Sequence, residues 1–487
     1  MTDAIVIGGG HNGLTAAGYL AKAGMDVVVL EKRKELGGLA GSYEFAPGFR
    51  ASIGPDFAGL LSPMVIEDLG LKKHGLELVP LDPIVAMPEG LTLWRDFGKS
   101  AEAIRKYSTK DAEAYPRFIE LVEKLAAFLK PLLTKPAPTP DIQSGSDLLE
   151  LLRLGWGFRQ LGKRPMHELL RILPMALSDF LDEWFENDWL KGALAGPALE
   201  GICLGPRSAG TAALFLYQRL GNQPAIARNL PGAMRAALSS FGGEVRTEAA
   251  VSKIRVEDGR VQGVALENGE TLDARYVLST VSPRTTFLEL AHPSDFEPSF
   301  ISEIENIRYR GVTAKLDLAL AKPPNFQGVF HVGPTLDDLE RAYDAVKYGR
   351  ASEVPFLRAV LPSAVDPSLA PDGKHVMSVL VQYVPYGTTI SPDKIIAALG
   401  LGDTVLHHSL RTPEDYETEL GLPEGNLHHG EMALDQLFFM RPVPGWARYE
   451  TPVDGLYLGG AGSHPGGGLT GAPGANAARE LLKNRAS

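Results

Sequence analysis

The chain holds a single cysteine, Cys203, in 487 residues. An internal disulfide is excluded, and with no Cys-x-x-Cys pair so is a dithiol redox centre; a reducing compartment fits. Basic residues are in deficit too, 48 Lys plus Arg against 59 Asp plus Glu, for a formal charge of −11. That leaves no basic stripe to neutralise phosphates, so no nucleic acid is expected as a partner. Nowhere do 18 uncharged apolar residues run together, which is what a membrane-crossing helix needs. Met1-Thr2-Asp3 leads straight into an apolar strand, with no room for a leader, so the expected location is cytoplasmic. No metal is expected: the close histidine pairs, His407-His408 and His428-His429, are sequence neighbours and would point to opposite faces of a strand. A Gly-x-Ser-x-Gly nucleophile elbow is also missing.

Glycine, by contrast, is concentrated where it has work to do. Ala4-Ile5-Val6-Ile7 reads as a short strand that breaks into Gly8-Gly9-Gly10-His11-Asn12-Gly13; Leu14 to Ala23 reads as a helix, and Val27 to Leu30 as a second buried strand ending on Glu31. In this βαβ unit Gly8 permits the tight turn, Gly10 lets the backbone approach a pyrophosphate, and Gly13 lets helix and strand pack closely. The helix N-terminus offers free N–H groups and the positive end of its dipole to phosphates. Glu31, 18 residues beyond Gly13, is placed to accept hydrogen bonds from ribose hydroxyls, and its charge argues against a 2′-phosphate. The spacing predicts a dinucleotide but does not separate FAD from NAD.

After Glu31 come Lys32-Arg33-Lys34-Glu35-Leu36-Gly37-Gly38-Leu39-Ala40-Gly41-Ser42. Here the chain resembles the FAD-dependent amine oxidase and phytoene desaturase superfamily, in which an acid-basic pair is followed by a Gly-Gly turn along the flavin's ribityl and diphosphate. The C-terminal run Gly459-Gly460-Ala461-Gly462-Ser463-His464-Pro465-Gly466-Gly467-Gly468-Leu469-Thr470-Gly471, followed by a helix over about 475–483, resembles the closing segment of the same enzymes. It is most similar to the branch of desaturase-type carotenoid ketolases and pyridine-nucleotide-disulfide-oxidoreductase-domain-2 proteins. A helix N-terminus near Leu469-Thr470 suits the pyrimidine edge of an isoalloxazine, where negative charge develops on reduction.

The resemblance implies non-covalent FAD held by Gly8, Gly10, His11, Asn12, Gly13, Glu31, Lys32, Gly38, Leu39, Ala40, Gly460, Ala461, Gly462, Gly468, Leu469 and Thr470. It adds a backbone contact from Val251 to the adenine, and suggests Lys315 as the lysine that orders water near flavin N5 in amine oxidases.

The fold class expected is α/β, a Rossmann-like FAD-binding domain assembled from discontinuous segments (1–61, 225–286 and 451–487) beside an α+β substrate domain (62–224, mainly helical, and 287–450, mixed sheet and helices). Helices are expected over 101–107, 111–133, 145–154, 167–177, 179–185, 208–220 and 334–349, with a proline-rich linker at 135–140. Val251 to Leu266 and Tyr276 to Thr280 read as a meander, and Val312 to Leu320 and His375 to Val384 as strands. Residues 148–164 carry leucines, Trp156, Phe158 and the cations Arg153, Arg159, Lys163 and Arg164. Such a segment suits peripheral contact with a membrane, and equally an amphipathic helix packed on the core.

Leu427 to Pro442 resembles the wall that precedes the closing glycine loop in the desaturase-like branch, and His429, Asp435 and Arg441 are its candidate catalytic members. The expected function is that of an FAD-dependent oxidoreductase taking a hydride from an extended apolar substrate, a polyene, isoprenoid or lipid, onto flavin N5. Gly466-x-Gly468-x-x-Gly471 fits dinucleotide spacing but lacks a following strand and acid, so electrons are expected to leave to oxygen, a quinone or another acceptor. An amine oxidase and a redox-neutral isomerase or hydratase acting through reduced FAD remain as alternatives.

Overall fold

Runs without charge such as Ala4-Ile5-Val6-Ile7 and Val27-Val28-Val29-Leu30 are satisfied only when both of their faces are covered. In the computed structural model they lie in two adjacent parallel strands, β1 (Thr2–Ile7) and β2 (Val27–Leu30), joined by helix α1 (His11–Lys22). The structure describes residues 2–137, 145–221, 224–333, 335–353 and 355–486. The end of the expected proline-rich linker, from 138 on, and the start of the expected 334–349 helix lie outside them.

The other edge of β1 pairs in parallel with the second half of Thr271–Ser279. The first half of that strand closes an antiparallel meander with Val251–Glu257 and Arg260–Leu266. Leu456–Leu458 joins Thr271–Ser279 in parallel, and Glu244–Arg246 joins β2, so seven strands from distant parts of the chain make one sheet. Helices α1, Leu230–Ser240 and Ala472–Ala486 share one apolar core with the sheet. Three parallel strands thus end together, at Gly8, Thr280 and Gly459, along one carboxyl edge, which is where α/β sheets bind ligands.

A second seven-stranded sheet runs in the order Val405–Arg411, Thr313–Leu320, His375–Gln382, Phe356–Val360, Phe330–Val332, Val85–Ala86 and Thr92–Leu93. The last two strands come from the stretch 62–224, which is otherwise mostly helices and donates this edge hairpin to the sheet. Thr313–Leu320 alternates polar with apolar residues, yet every residue in it is buried. Lys315 and Asp317 stay inside because the lysine donates to the Asp317 carboxylate at 2.6 Å and to the Ser52 carbonyl at 2.7 Å.

The helical block packs around Phe118, whose ring lies 5.5 Å from that of Phe180 and 4.9 Å from that of Phe185. Its long helix, Thr109–Leu133, starts where the Ser108 side chain accepts from the Asp111 amide, and it buries Tyr115, Phe118, Val122, Leu125 and Leu129 at three- and four-residue spacing. The expected 101–107 helix begins earlier, at Phe97, because Asp96 accepts the Lys99 amide. The expected 167–177 helix is instead Lys163–Ile172, followed by Leu177–Asp182 past Pro174, which has no N–H to carry a helix on. Among the described residues no helix is long and apolar enough to cross a membrane.

Candidate functional site

The turn after β1 is built by two contacts. Gly8 has φ +98°, a conformation that costs glycine nothing. A Cβ on Gly13 would stand 1.9 Å from the Gly8 carbonyl oxygen, so only glycine lets α1 start this close to the strand. The Gly9 amide donates to Glu31 Oε2 at 2.7 Å and the Arg33 amide to Glu31 Oε1 at 2.9 Å, fixing the buried carboxylate at the end of β2. Gly10 differs from its neighbours. Its φ of −71° suits any residue, and a Cβ there would meet no protein atom closer than 3.9 Å. Neither strain nor packing demands glycine at this position, which faces open space.

That space is a cavity of about 330 Å³, within the size range of small-molecule sites. Of the residues assigned to FAD from the sequence, Gly8, Gly10, His11, Asn12, Gly13, Glu31, Lys32, Gly38, Leu39, Ala40, Ala461, Gly468 and Leu469 line it. The early and late glycine-rich segments therefore meet: both line this cavity, and a Cβ on Gly474 would lie 2.0 Å from the Asn12 carbonyl oxygen.

Some of the buried polar atoms with no partner belong to residues on the same walls, namely His11 Nε2, Asn12 Oδ1, Arg33 Nη1, Arg358 Nε, His428 Nδ1 and His429 Nδ1. Buried polar groups are costly unless satisfied, so these atoms mark a place where a polar ligand completes the bonding. With the Gly10 opening, the fixed Glu31 carboxylate and the α1 N-terminus, they fit a flavin dinucleotide. Burial lowers His11 and His428 to about 4, and His429 to about 3 with help from the nearby Arg441 charge, so all three are neutral imidazoles at neutral pH.

Four residues assigned to FAD lie off the cavity. Gly460 and Gly462 are glycine for packing, since a Cβ on either would sit 2.4 Å from the Thr280 carbonyl oxygen or from Pro283 respectively. Thr470 accepts the Ala472 amide at 3.1 Å, and so caps the helix Ala472–Ala486, which starts ahead of the expected 475. Val251 begins a meander strand and does not line the cavity; residues 248 and 249 just before it bond the backbone of Arg33 and Glu31, which do.

The catalytic candidates divide as well. His429 lines the cavity. Asp435 does not: its side chain is 63% exposed and paired with Arg308. Arg441 is buried, donating to the carbonyls of Ala461, Glu431, Gln436, Gly430 and His428, which makes it a clamp for the cavity wall rather than a group facing reactants. Lys315, tied to Ser52 and Asp317, is also off the cavity. His428 and His429 sit in a turn, with His429 at φ +55°, and both line the cavity rather than facing apart on a strand.

The inner half of the cavity was not foreseen. Ile84, Val85, Leu93, Ile119, Val122, Ala193, Leu194 and Phe215 make an apolar chamber continuous with the glycine loops. Its polar members are Glu200, paired with Arg358 above the Phe57 ring, and Glu123, Gln218 and Arg219. One signal was present: Arg358 is a lone charge in the apolar strand Phe356–Val360. Arg219 gave none, because a basic residue closing a helix is ordinary. Among the described residues no three of His, Cys, Asp or Glu come together to hold a metal ion.

Comparison with known proteins agrees with this geometry. The family model described as "Flavin containing amine oxidoreductase" matches residues 13–482. Pyridine nucleotide-disulfide oxidoreductase domain-containing protein 2 of Rattus norvegicus is 35% identical, over 99% of this chain and 93% of its own. Phytoene desaturase (neurosporene-forming) of Rhodobacter capsulatus is 24% identical, over 96% of this chain and 91% of its own. Among solved structures, putrescine oxidase bound to putrescine superposes with a TM-score of 0.63 at 15% identity, covering 100% of this chain and 99% of that one, a likeness of fold.

Proposed function

This chain belongs to the flavin-containing amine oxidoreductase family and is an FAD-dependent oxidoreductase, and from that premise we propose that it oxidises an extended, largely apolar substrate. The observation that carries the reading is the apolar chamber, which opens directly onto the part of the cavity walled by Gly10, His429, Ala461 and Leu469. When bound, FAD supplies a two-electron acceptor whose N5 takes a hydride.

The residues of the chain have the remaining tasks. Gly8, Gly10, His11, Asn12, Gly13, Glu31, Lys32, Gly38, Leu39 and Ala40, with Ala461, Gly468 and Leu469, would hold the dinucleotide, since all line the cavity. Arg441 keeps the His428–Gly430 and Ala461 walls together. Ile119, Val122, Leu194 and Phe215 exclude water and align the apolar body of the substrate, which is where such a reaction gains most of its rate. Of the three catalytic candidates from the sequence, His429, kept neutral by burial, is the one on the cavity wall.

The chamber also bears on how substrate arrives. Leu148, Leu149, Leu152 and Trp156 are 46–65% exposed on the helix Gly145–Gln160, beside the cations Arg153, Arg159, Lys163 and Arg164, on a chain of net charge −11. An exposed apolar row edged by local positive charge complements an anionic lipid surface, which would store an apolar substrate.

Filling the chamber tests the function. Val122→Trp and, separately, Ala193→Phe are expected to retain bound FAD while losing the change in flavin absorption that neutral polyenes produce. Unaltered perturbation by polyenes in both variants would sink the reading.

A further inference from the structure

Resting on the reading of the inner chamber as the substrate site, and deepening it, we propose that Arg219 is the anion-recognising end of that chamber and that the substrate is an amphipathic acid, an apolar body ending in a carboxylate. Arg219 closes the helix Thr211–Gln218, lines the cavity, and holds its guanidinium 5.1 Å from the centre of the Phe215 ring. Its side chain makes neither a hydrogen bond nor an ion pair with any described residue, the backbone amide alone donating, to Leu216. The other arginine of the inner half, Arg358, is neutralised by Glu200. The nearest acid to Arg219 is Glu123, an exposed residue that influences it through space without pairing with it.

Arg219 is half-buried, and this burial weakens the hold of its guanidinium on its proton. A desolvated cation left unpaired is costly, and a ligand anion removes that cost. A guanidinium presents a planar fork that matches the two oxygens of a carboxylate, and Gln218 beside it adds an amide. A phosphate dianion would call for a second free cation. None lines the inner half among the described residues. Apart from the mutually paired Glu200 and Arg358, the remaining lining of the inner half is apolar, including Ile119, Val122, Ala193 and Leu194, so the ligand that fits both features has an acid at one end and hydrocarbon at the other.

Binding of dodecanoate, dodecan-1-ol and dodecylamine to the FAD-loaded enzyme, below their micellar concentrations and followed by the flavin absorption change, tests this. Dodecanoate is expected to bind at least ten-fold tighter than the alcohol. Arg219→Gln is expected to bring the acid-to-alcohol ratio close to one, and Arg219→Glu to make the amine the tightest ligand. FAD content reports whether each variant has folded, and Arg219→Lys is expected to retain part of the preference. Equal binding of acid and alcohol by the wild type, a ratio unchanged in Arg219→Gln, or tighter binding of the amine by the wild type overturns the assignment and leaves the apolar chamber standing. Failure of all three probes to perturb the flavin overturns the chamber reading itself, and this inference with it.

Discussion

The start of α1 lies so close to the end of β1 that a Cβ on Gly13 would stand 1.9 Å from the carbonyl oxygen of Gly8. Gly10, three residues earlier, meets nothing of the protein within 3.9 Å. Two glycines of one turn are thus needed for different reasons, and alanine separates them. Gly13→Ala is expected to push α1 off the sheet, costing on the order of 3 kcal/mol or more by overpacking. Gly10→Ala is expected to change apoprotein stability by about 1 kcal/mol or less, while lowering FAD affinity at least a hundredfold. Urea unfolding of the apoproteins and FAD titration read the two effects apart.

Arg441 and Asp435, adjacent in the expected catalytic wall, should part company on mutation. Arg441→Ala leaves several buried carbonyls without their donor and is expected to cost roughly 3–5 kcal/mol, with loss of FAD retention. Asp435→Asn breaks a pair with Arg308 whose aspartate is 63% exposed, and is expected to cost about 1 kcal/mol or less, with little change in the rate of flavin reduction. Thermal unfolding and anaerobic stopped-flow spectroscopy distinguish the outcomes. A large rate loss in Asp435→Asn would return that residue to the reaction.

Burial depresses His11, His428 and His464 to about 4 and His429 to about 3. In the unfolded chain each titrates near 6.5, so between roughly pH 6.5 and 4 the unfolded state binds protons that the folded state refuses. Stability therefore rises with pH across this window and is lost on acidification, each unit of depression corresponding to about 1.4 kcal/mol. Net proton uptake on unfolding at pH 5.5, obtained by calorimetry in buffers of different ionisation enthalpy, should be positive, and His464→Gln should reduce it by up to about one proton. No uptake at pH 5.5 would show these imidazoles to be charged in the fold.

Attachment to lipid through the Leu148–Trp156 face is expected to depend on both apolar area and charge. Sedimentation with vesicles of phosphatidylglycerol should retain the protein, vesicles of phosphatidylcholine should not, and Leu152→Ser with Trp156→Ser should release it at least ten-fold. Equal recovery with both lipids, or with the double variant, would assign the face to something other than an anionic membrane.

Sequence made the outer half of the site legible because backbone geometry there is written in residue type. Gly8 and Gly13 shape the turn as their spacing implies, Glu31 stands at the end of β2 on the cavity wall, and Leu469 reaches the same cavity from the far end of the chain. Where glycine has several possible uses residue type alone does not choose between them: Gly460 and Gly462 pack closely against Thr280 and Pro283. The inner half was not legible because it is assembled by tertiary contact alone. Val85 and Leu93 come from short strands, Val122 and Phe215 from different helices, and nothing local marks any of them as facing a ligand rather than the core. Asp435 and Arg441 looked alike as polar residues in one segment, and only burial tells the clamp from the surface pair.

The measurement that bears most directly on the whole account is anaerobic mixing of the purified, FAD-loaded protein with polyenes, isoprenoids, fatty acyl compounds and amines, following flavin absorption and identifying the product. Bleaching by an apolar, lipid-like compound, with a new double bond in the product, is the predicted result. Bleaching by amines alone, turnover only after prior reduction with dithionite, or a protein that retains no FAD would contradict it.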